Sequence, residues 1–401
     1  MKIEKTPFHL AYCTNIHPGE SWTETFSQLK KHLPKVKKQV SPHQPMGVGL
    51  RLSNSASIQI LENDELLQFK EWLKENSLYI FTFNGFPYGS FHRTVVKDKV
   101  HTPDWTTNER LEYTLRLFDI LLELLPNDLS EGGISTSPLS YKFWHNSLNE
   151  VYEKATLNLA KIALHLHKIK QEKDISLHLD IEPEPDGVLE NTKEVIDYYK
   201  QWLIPNGSAF LAQALGIDLE RCAAILREHI QLCYDVCHYA IAFEEPEEVF
   251  QAMEKEKIKI GKVQLSAALK SIFDENSKKN SQKLAFLKRF DDPTYLHQVI
   301  EKENSGKLKQ YKDLPDALNH FDGSTNKEWR IHFHVPLFSA SYELLHSTNT
   351  EIKKVIAYIK QSPIVKHLEI ETYTWEVLPK NFQKDIDESI TREMNWILQQ
   401  F

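Results

Sequence analysis

The chain is expected to fold as an α/β protein, a (β/α)8 barrel with an insertion late in the barrel and a C-terminal helix. Three observations support this. Short β-rich runs alternate with segments whose apolar residues recur about every 3.6 positions, the pattern of a parallel sheet covered by helices. Eight such units of about 45 residues fit between Leu10 and Glu371, if one strand is surplus. Neither G-x-G-x-x-G nor G-x-x-x-x-G-K follows any strand candidate, which weighs against an open doubly wound nucleotide-binding sheet. The 401 residues suit one elaborated barrel domain, 1–401.

In chain order, the strand candidates are His9–Asn15, Gly47–Ser53, Leu78–Asn84, Gly133–Ser137, Ser176–Glu182, Gln231–Cys237, Lys262–Ser266, Arg330–Val335 and His367–Thr372. Between the first two, Trp22, Phe26, Leu29 and Leu33 form a helical stripe, opened by Ser21 and expected to stop at Pro34. Further helices are expected at Glu65–Glu75, Asn108–Leu125, Lys142–Ile169, Thr192–Leu203, Leu219–His229, Glu245–Lys255, Tyr342–Lys360 and Gln383–Gln399. The stretch Phe273–Lys327 is polar and rich in turn residues, and reads as an insertion with a hairpin around Asn304–Gly306.

The composition, 41% hydrophobic and 26% charged, is that of a globular protein. A formal charge of −8 with interspersed signs and no long basic block weighs against nucleic-acid binding. No uncharged apolar run approaches the ~20 residues of a transmembrane segment. The start, MKIEKTPFHLAY, has no signal-like apolar segment, and four cysteines are too few for a disulfide framework, so a cytoplasmic location is expected.

Strands buried on both faces of a parallel sheet should read as continuous aliphatic runs. Several here alternate instead. Leu177, Leu179 and Ile181 interleave with His178, Asp180 and Glu182; Leu232, Tyr234 and Val236 with Cys233, Asp235 and Cys237; Ile331, Phe333 and Val335 with His332 and His334; Leu368 and Ile370 with Glu369 and Glu371. The apolar parity must face the helices, so the polar parity faces the barrel interior. Burying these carboxylates uncompensated would cost several kcal/mol each, on the order of the usual penalty for a buried ion, and a divalent cation at the C-terminal mouth would neutralise them. Candidate ligands stand at strand ends: Glu182, Asp235, His238, His332, His334 and Glu371. Carboxylate oxygen with imidazole nitrogen suits zinc, manganese or a similar metal.

The order Glu182, then Asp235-x-x-His238, then Glu371 resembles the metal layout of the xylose-isomerase-like TIM-barrel superfamily, which includes sugar isomerases, epimerases and the endonuclease IV family. More narrowly, YCTNIHPGESW (12–22), NGFPYGSFH (84–92), PDWTTNERLEYT (103–114), YLHQV (295–299), HFHVPLF (332–338) and ETYTWEVLP (371–379) resemble the EboE family, called metabolite traffic proteins. The superfamily resemblance implies a metal held by Glu182, Asp235, Glu371 and one further ligand. His238 matches a second-site or substrate-facing histidine. Gln264 in KVQLSAAL stands where the superfamily usually has a metal histidine. Either Gln264 is a weak ligand with an insertion after it, or RIHFHVP supplies the seventh strand. The two spacings, 29 residues from Asp235 to Gln264 and 37 from His334 to Glu371, are both natural βα steps. His334 is the favoured fourth ligand.

The activity this implies is isomerisation or epimerisation of a small polar metabolite by proton transfer next to a carbonyl, with Glu182 and Glu371 as the acid–base pair. The alternatives are a non-catalytic carrier or scaffold, with partner proteins of a metabolite-handling cluster, and an endonuclease IV-like phosphodiesterase. Candidate substrate contacts are His17 before the first helix, Arg51 as a cation for an anionic group, Asn84 beside the Phe86–Gly89 loop, His238, Gln264, His332 and Trp375, with Trp105 as a further aromatic. Cys233 and Cys237 read as buried thiols, not ligands.

Overall fold

The computed structural model describes residues 1–90, 95–323, 326–375, 378 and 385–401. Phe91, His92, Glu376, Val377 and Pro379 of the quoted motifs, and the start of the helix expected from Gln383, lie outside the described residues. Eight parallel strands form the central sheet: β1 (His9–Tyr12), β2 (Met46–Leu50), β3 (Leu78–Asn84), β4 (Glu131–Thr136), β5 (Ser176–Ile181), β6 (Ile230–Asp235), β7 (Ile260–Leu265) and, last, His367–Ile370. They run in spatial order with that last strand between β1 and β7. A parallel bridge between Cys13 and Gly49 joins β1 to β2 and closes the ring. The fold is the expected (β/α)8 barrel, with helices between successive strands.

The surplus strand is the one containing Arg330–Val335. It lies in a second, six-stranded antiparallel sheet built from β8 (Ala268–Phe273), β9 (Val299–Glu303), β10 (Leu308–Tyr311), β11 (Lys327–His334), β12 (Ser341–Tyr342) and β13 (Leu345–Ser347), in the order β10-β9-β11-β8-β13-β12. The eighth barrel strand is therefore β14 (His367–Ile370). The expected hairpin is the β9–β10 pair, with Gly306 at φ +84° in its turn. The inserted sheet is wider than the expected 273–327, because its flanking strands β8 and β11–β13 are not polar. Trp329 and Ile331 of β11 and Leu269 of β8 are fully buried, and polarity marked only the exposed middle.

The helices depart from expectation where local signals were overridden. The first runs Trp22–Val40, straight through Pro34. A capping box on Ser21 and Glu24 starts it, and Leu33, Val36 and Val40 keep a buried stripe across the proline. The expected Lys142–Ile169 helix starts only at Asn149 and ends at Lys173. Thr192–Tyr198 continues through a π turn at Tyr199–Leu203 into Ile204–Leu215. The N-terminal part of the expected 342–360 helix is the β12–β13 hairpin, and the helix is Asn349–Gln361. The C-terminal helix is Ile386–Leu398. Among the described residues, no helix is long and apolar enough to cross a membrane.

Candidate active site at the C-terminal mouth of the barrel

The polar parity does face inward. On β7, Lys262 is fully buried and donates to Glu369 Oε2 at 2.9 Å, to the Phe83 carbonyl at 2.8 Å and to Ser135 Oγ at 3.2 Å. On β5, His178 Nδ1 meets Asp180 Oδ1 at 2.7 Å. Two of the interior carboxylates are thus compensated by side chains of the chain itself. Part of the neutralisation expected from a cation is supplied by Lys262, a residue of the same polar parity.

One layer higher, at the strand ends, the balance is different. Parallel register puts Asp235 of β6 beside Gln264 of β7, and Gln264 beside Glu369, so Glu182, Asp235, Gln264 and Glu371 leave four consecutive strand ends. Asp235 caps the short helix Val236–Ile241: its Oδ1 accepts from His238 N at 3.0 Å and from Ser266 Oγ at 2.7 Å. That turn carries His238 back over the mouth, where Nδ1 bonds to the Pro183 carbonyl at 3.0 Å. Asn15 and Asn84 each donate to Glu371 Oε1 at 2.8 Å. With its amide turned so that nitrogen faces the carboxylate, Gln264 donates to both oxygens of Glu182 at 3.0 Å.

His332 and His334 arrive from outside the barrel. An irregularity in the β11–β8 pairing between Ile331 and His334 bends the strand end where it passes the mouth. His332 Nε2 lies 3.1 Å from His238 Nε2, and its Nδ1 is 2.8 Å from Gln298 Oε1. His334 Nδ1 bonds to the Glu371 carbonyl at 2.9 Å. So the seventh barrel strand is KVQLSAAL, and RIHFHVP still delivers its histidines to the same place.

Donor atoms converge in three overlapping sets, each within 4.8 Å: Glu182, Asp235 and His238; Asp235, Cys237 and His334; His238, His332 and His334. Cys237, set aside as a ligand in the sequence, belongs to one of them. Asp235 Oδ2 and His334 Nε2 are buried with no hydrogen-bond partner. Burial, then Glu371 and Asp235 nearby, pushes the Glu182 carboxyl well above its ordinary range, and burial with Asp235 and Glu369 does the same to Glu371. Burial, reinforced by His238 and His334, holds His332 well below the usual imidazole value, and burial also lowers His334. Crowded acids and neutral imidazoles with unsatisfied lone pairs are what a divalent cation would relieve, so this donor set fits one.

The cavity beside the cluster has about 60 Å³ of free space. It is lined by Asn15, Asn84, Glu182, His238, His332 and Glu371, and also by residues the sequence reading did not single out, among them Lys97, His101, Glu184 and Tyr295. His101 Nε2 pairs with Glu184 Oε1 at 2.9 Å. The E-P-E-P run after β5 was the signal for Glu184, and YLHQV carries Tyr295 and Gln298. His17, Arg51, Gln264 and Trp375 do not line the cavity. His17 bonds to the Tyr12 hydroxyl at 3.0 Å and stacks on His32. Arg51 turns to the Gly19 carbonyl at 3.0 Å and Glu20 at 3.3 Å. Trp375 is packed in the main apolar core, and Trp105 donates to Thr136 Oγ1 at 3.1 Å.

No family model and no curated protein matches this chain. Solved structures similar to it include a probable 3-DHS dehydratase, AsbF, involved in petrobactin synthesis in Bacillus anthracis (10% identity, 97% of this chain and 98% of that chain covered, TM-score 0.43). Others are the IolI protein with a binding zinc atom (11%, 97% and 96%, 0.45) and a xylose isomerase domain protein from Alicyclobacillus acidocaldarius (9%, 98% and 98%, 0.46).

Proposed function

We propose that the protein is a divalent-metal-dependent isomerase or epimerase of a small polar metabolite, working by proton transfer next to a carbonyl. The observation that carries this reading is the pair of buried glutamates, Glu182 and Glu371, facing one small cavity across a set of metal-type donors. Glu182, Asp235, His334 and Glu371 are the residues assigned to hold the cation, with His238 and His332 beside them. When bound, it supplies Lewis-acid polarisation of a carbonyl and an adjacent hydroxyl.

The chain's own groups do the rest. Asn15 and Asn84 fix one oxygen of Glu371, and Gln264 fixes Glu182 from below, so each carboxyl keeps a set direction. One of the two glutamates removes the proton from the carbon next to the carbonyl, and the other returns a proton to the neighbouring position or the opposite face. His238 and His332, whose Nε2 atoms face each other at 3.1 Å, stand where substrate hydroxyls would need partners. The motif resemblance to the EboE family extends the proposal to secondary-metabolite handling in the cytoplasm.

The test is deuterium exchange. Incubated in D₂O with manganese or zinc and a panel of small aldoses and ketoses, the protein is expected to place deuterium next to the carbonyl of its substrate. Glu182→Gln and Glu371→Gln should each slow this by about 10²–10⁴-fold, the usual contribution of a general acid or base. Unchanged exchange in both variants rejects the mechanism. Ligand binding with no exchange by the unmodified protein would favour the carrier.

A further inference from the structure

The opposite, N-terminal end of the barrel holds a second group of donor atoms that the mouth chemistry does not use. His178 of β5 and His367 of β14 are 1% and 3% exposed, and their rings stack at 5.2 Å between centroids. Glu131, at the start of β4, has Oε1 3.8 Å from His178 Nε2. One donor atom from each of the three lies within 4.8 Å of the others. His178 Nε2 and His367 Nδ1 are buried without a hydrogen-bond partner, a cost that native interiors rarely leave unexplained.

The surroundings are built to hold such a group. Asp180 Oδ1 takes the hydrogen bond from His178 Nδ1, which fixes the tautomer and leaves the Nε2 lone pair free; this carboxylate–imidazole relay is the usual support for a metal-bound histidine. Two glycines make room for the pair. A Cβ at Gly133 would lie 2.2 Å from His178 Cε1, and one at Gly261 would lie 2.0 Å from Asp180 Oδ1. His367 Nδ1, buried and without a partner, offers a second donor nitrogen beside that of His178. Lys366 pairs with Glu131 Oε2, which leaves Oε1 for the cluster. A solvent cleft lined by Glu131, His178, Gln231, Lys259 and Lys366 leads to the site.

We infer that Glu131, His178 and His367 form a second divalent-metal site, of zinc type, at the N-terminal end of the barrel. Two imidazole nitrogens and one carboxylate oxygen match the donors of a tetrahedral borderline metal. The N-terminal face of such barrels serves stability and not chemistry, so the ion here stabilises the fold and takes no part in turnover.

The experiment uses the full chain carrying Asp235→Asn and His334→Ala to silence the mouth, stripped with chelator and titrated with zinc chloride. Expected are about one zinc per chain, a higher thermal midpoint on binding, loss of binding in His367→Ala, and weakening by about tenfold or more in Glu131→Gln, the usual scale for losing a metal-site partner. Glu131 is half-exposed, so its variant should fold even if His367→Ala does not, which circular dichroism checks. Absence of zinc from the mouth-silenced chain overturns the inference, as does binding that Glu131→Gln and a folded His367→Ala both leave unchanged.

Discussion

Glu393, on the C-terminal helix, is a carboxyl group that burial pushes up to about 8. Its Oε1 accepts from Leu337 N at 3.1 Å and from Thr372 Oγ1 at 2.8 Å, so it ties the helix to the loops that follow β11 and β14. In the unfolded chain it would titrate near an ordinary glutamate. The folded state therefore holds the extra proton between about pH 4.5 and 8, and stability falls as pH rises through that window, by at most about 1.4 kcal/mol per unit. Glu393→Gln keeps an acceptor and removes the charge. Urea unfolding at pH 5 and pH 8 should show a smaller difference for this variant than for the unmodified chain; an equal difference would remove Glu393 as the cause. Glu182, Asp235 and Glu371 could be read from alternation because a charged residue among aliphatic neighbours has one parity and one face. Their partners could not. Lys262 sits on the same polar parity, but that it reaches Glu369 depends on β7 and β14 becoming neighbours, which periodicity does not encode.

At the scale of elements, the barrel strands were legible as short β-rich runs between helical segments, several of them alternating, and their bounds moved by only a few positions. The inserted sheet was half legible. Its turn chemistry at Asn304–Gly306 stood out, whereas β8 carried no strand signal and β12 and β13 fell at the start of the expected Tyr342–Lys360 helix, since a short antiparallel strand gains its identity from pairing with distant residues. That is why the fourth ligand was ambiguous: His334 belongs to a strand outside the barrel that only tertiary pairing brings to the mouth. The strands also depend on small residues at crowded points. A Cβ at Gly49 of β2 would lie 1.9 Å from Glu369 Oε1, inside the interior ion pair with Lys262. Gly49→Ala should cost about 1–3 kcal/mol by overpacking, read as a lower urea midpoint with an unchanged slope. An unaltered midpoint would mean that the interior pair relocates freely.

For the molecule as a whole, one barrel presents two ends of different character. In the barrel interior Lys262 pairs with Glu369 and His178 with Asp180, the N-terminal end leaves nitrogens of His178 and His367 unpartnered, the C-terminal mouth gathers carboxylates and imidazoles around a small cavity, and the inserted sheet adds His332 and His334 to that mouth. The central claim is that the mouth holds a divalent cation. Anomalous diffraction from crystals soaked in zinc or manganese salt locates such an ion directly and separates it from any ion at the other end of the barrel. The account expects a peak about 2.0–2.2 Å from a carboxylate oxygen of Asp235 and the Nε2 of His334, with Glu182 and Glu371 completing the shell. A fully soaked crystal with no peak among these four residues would contradict it.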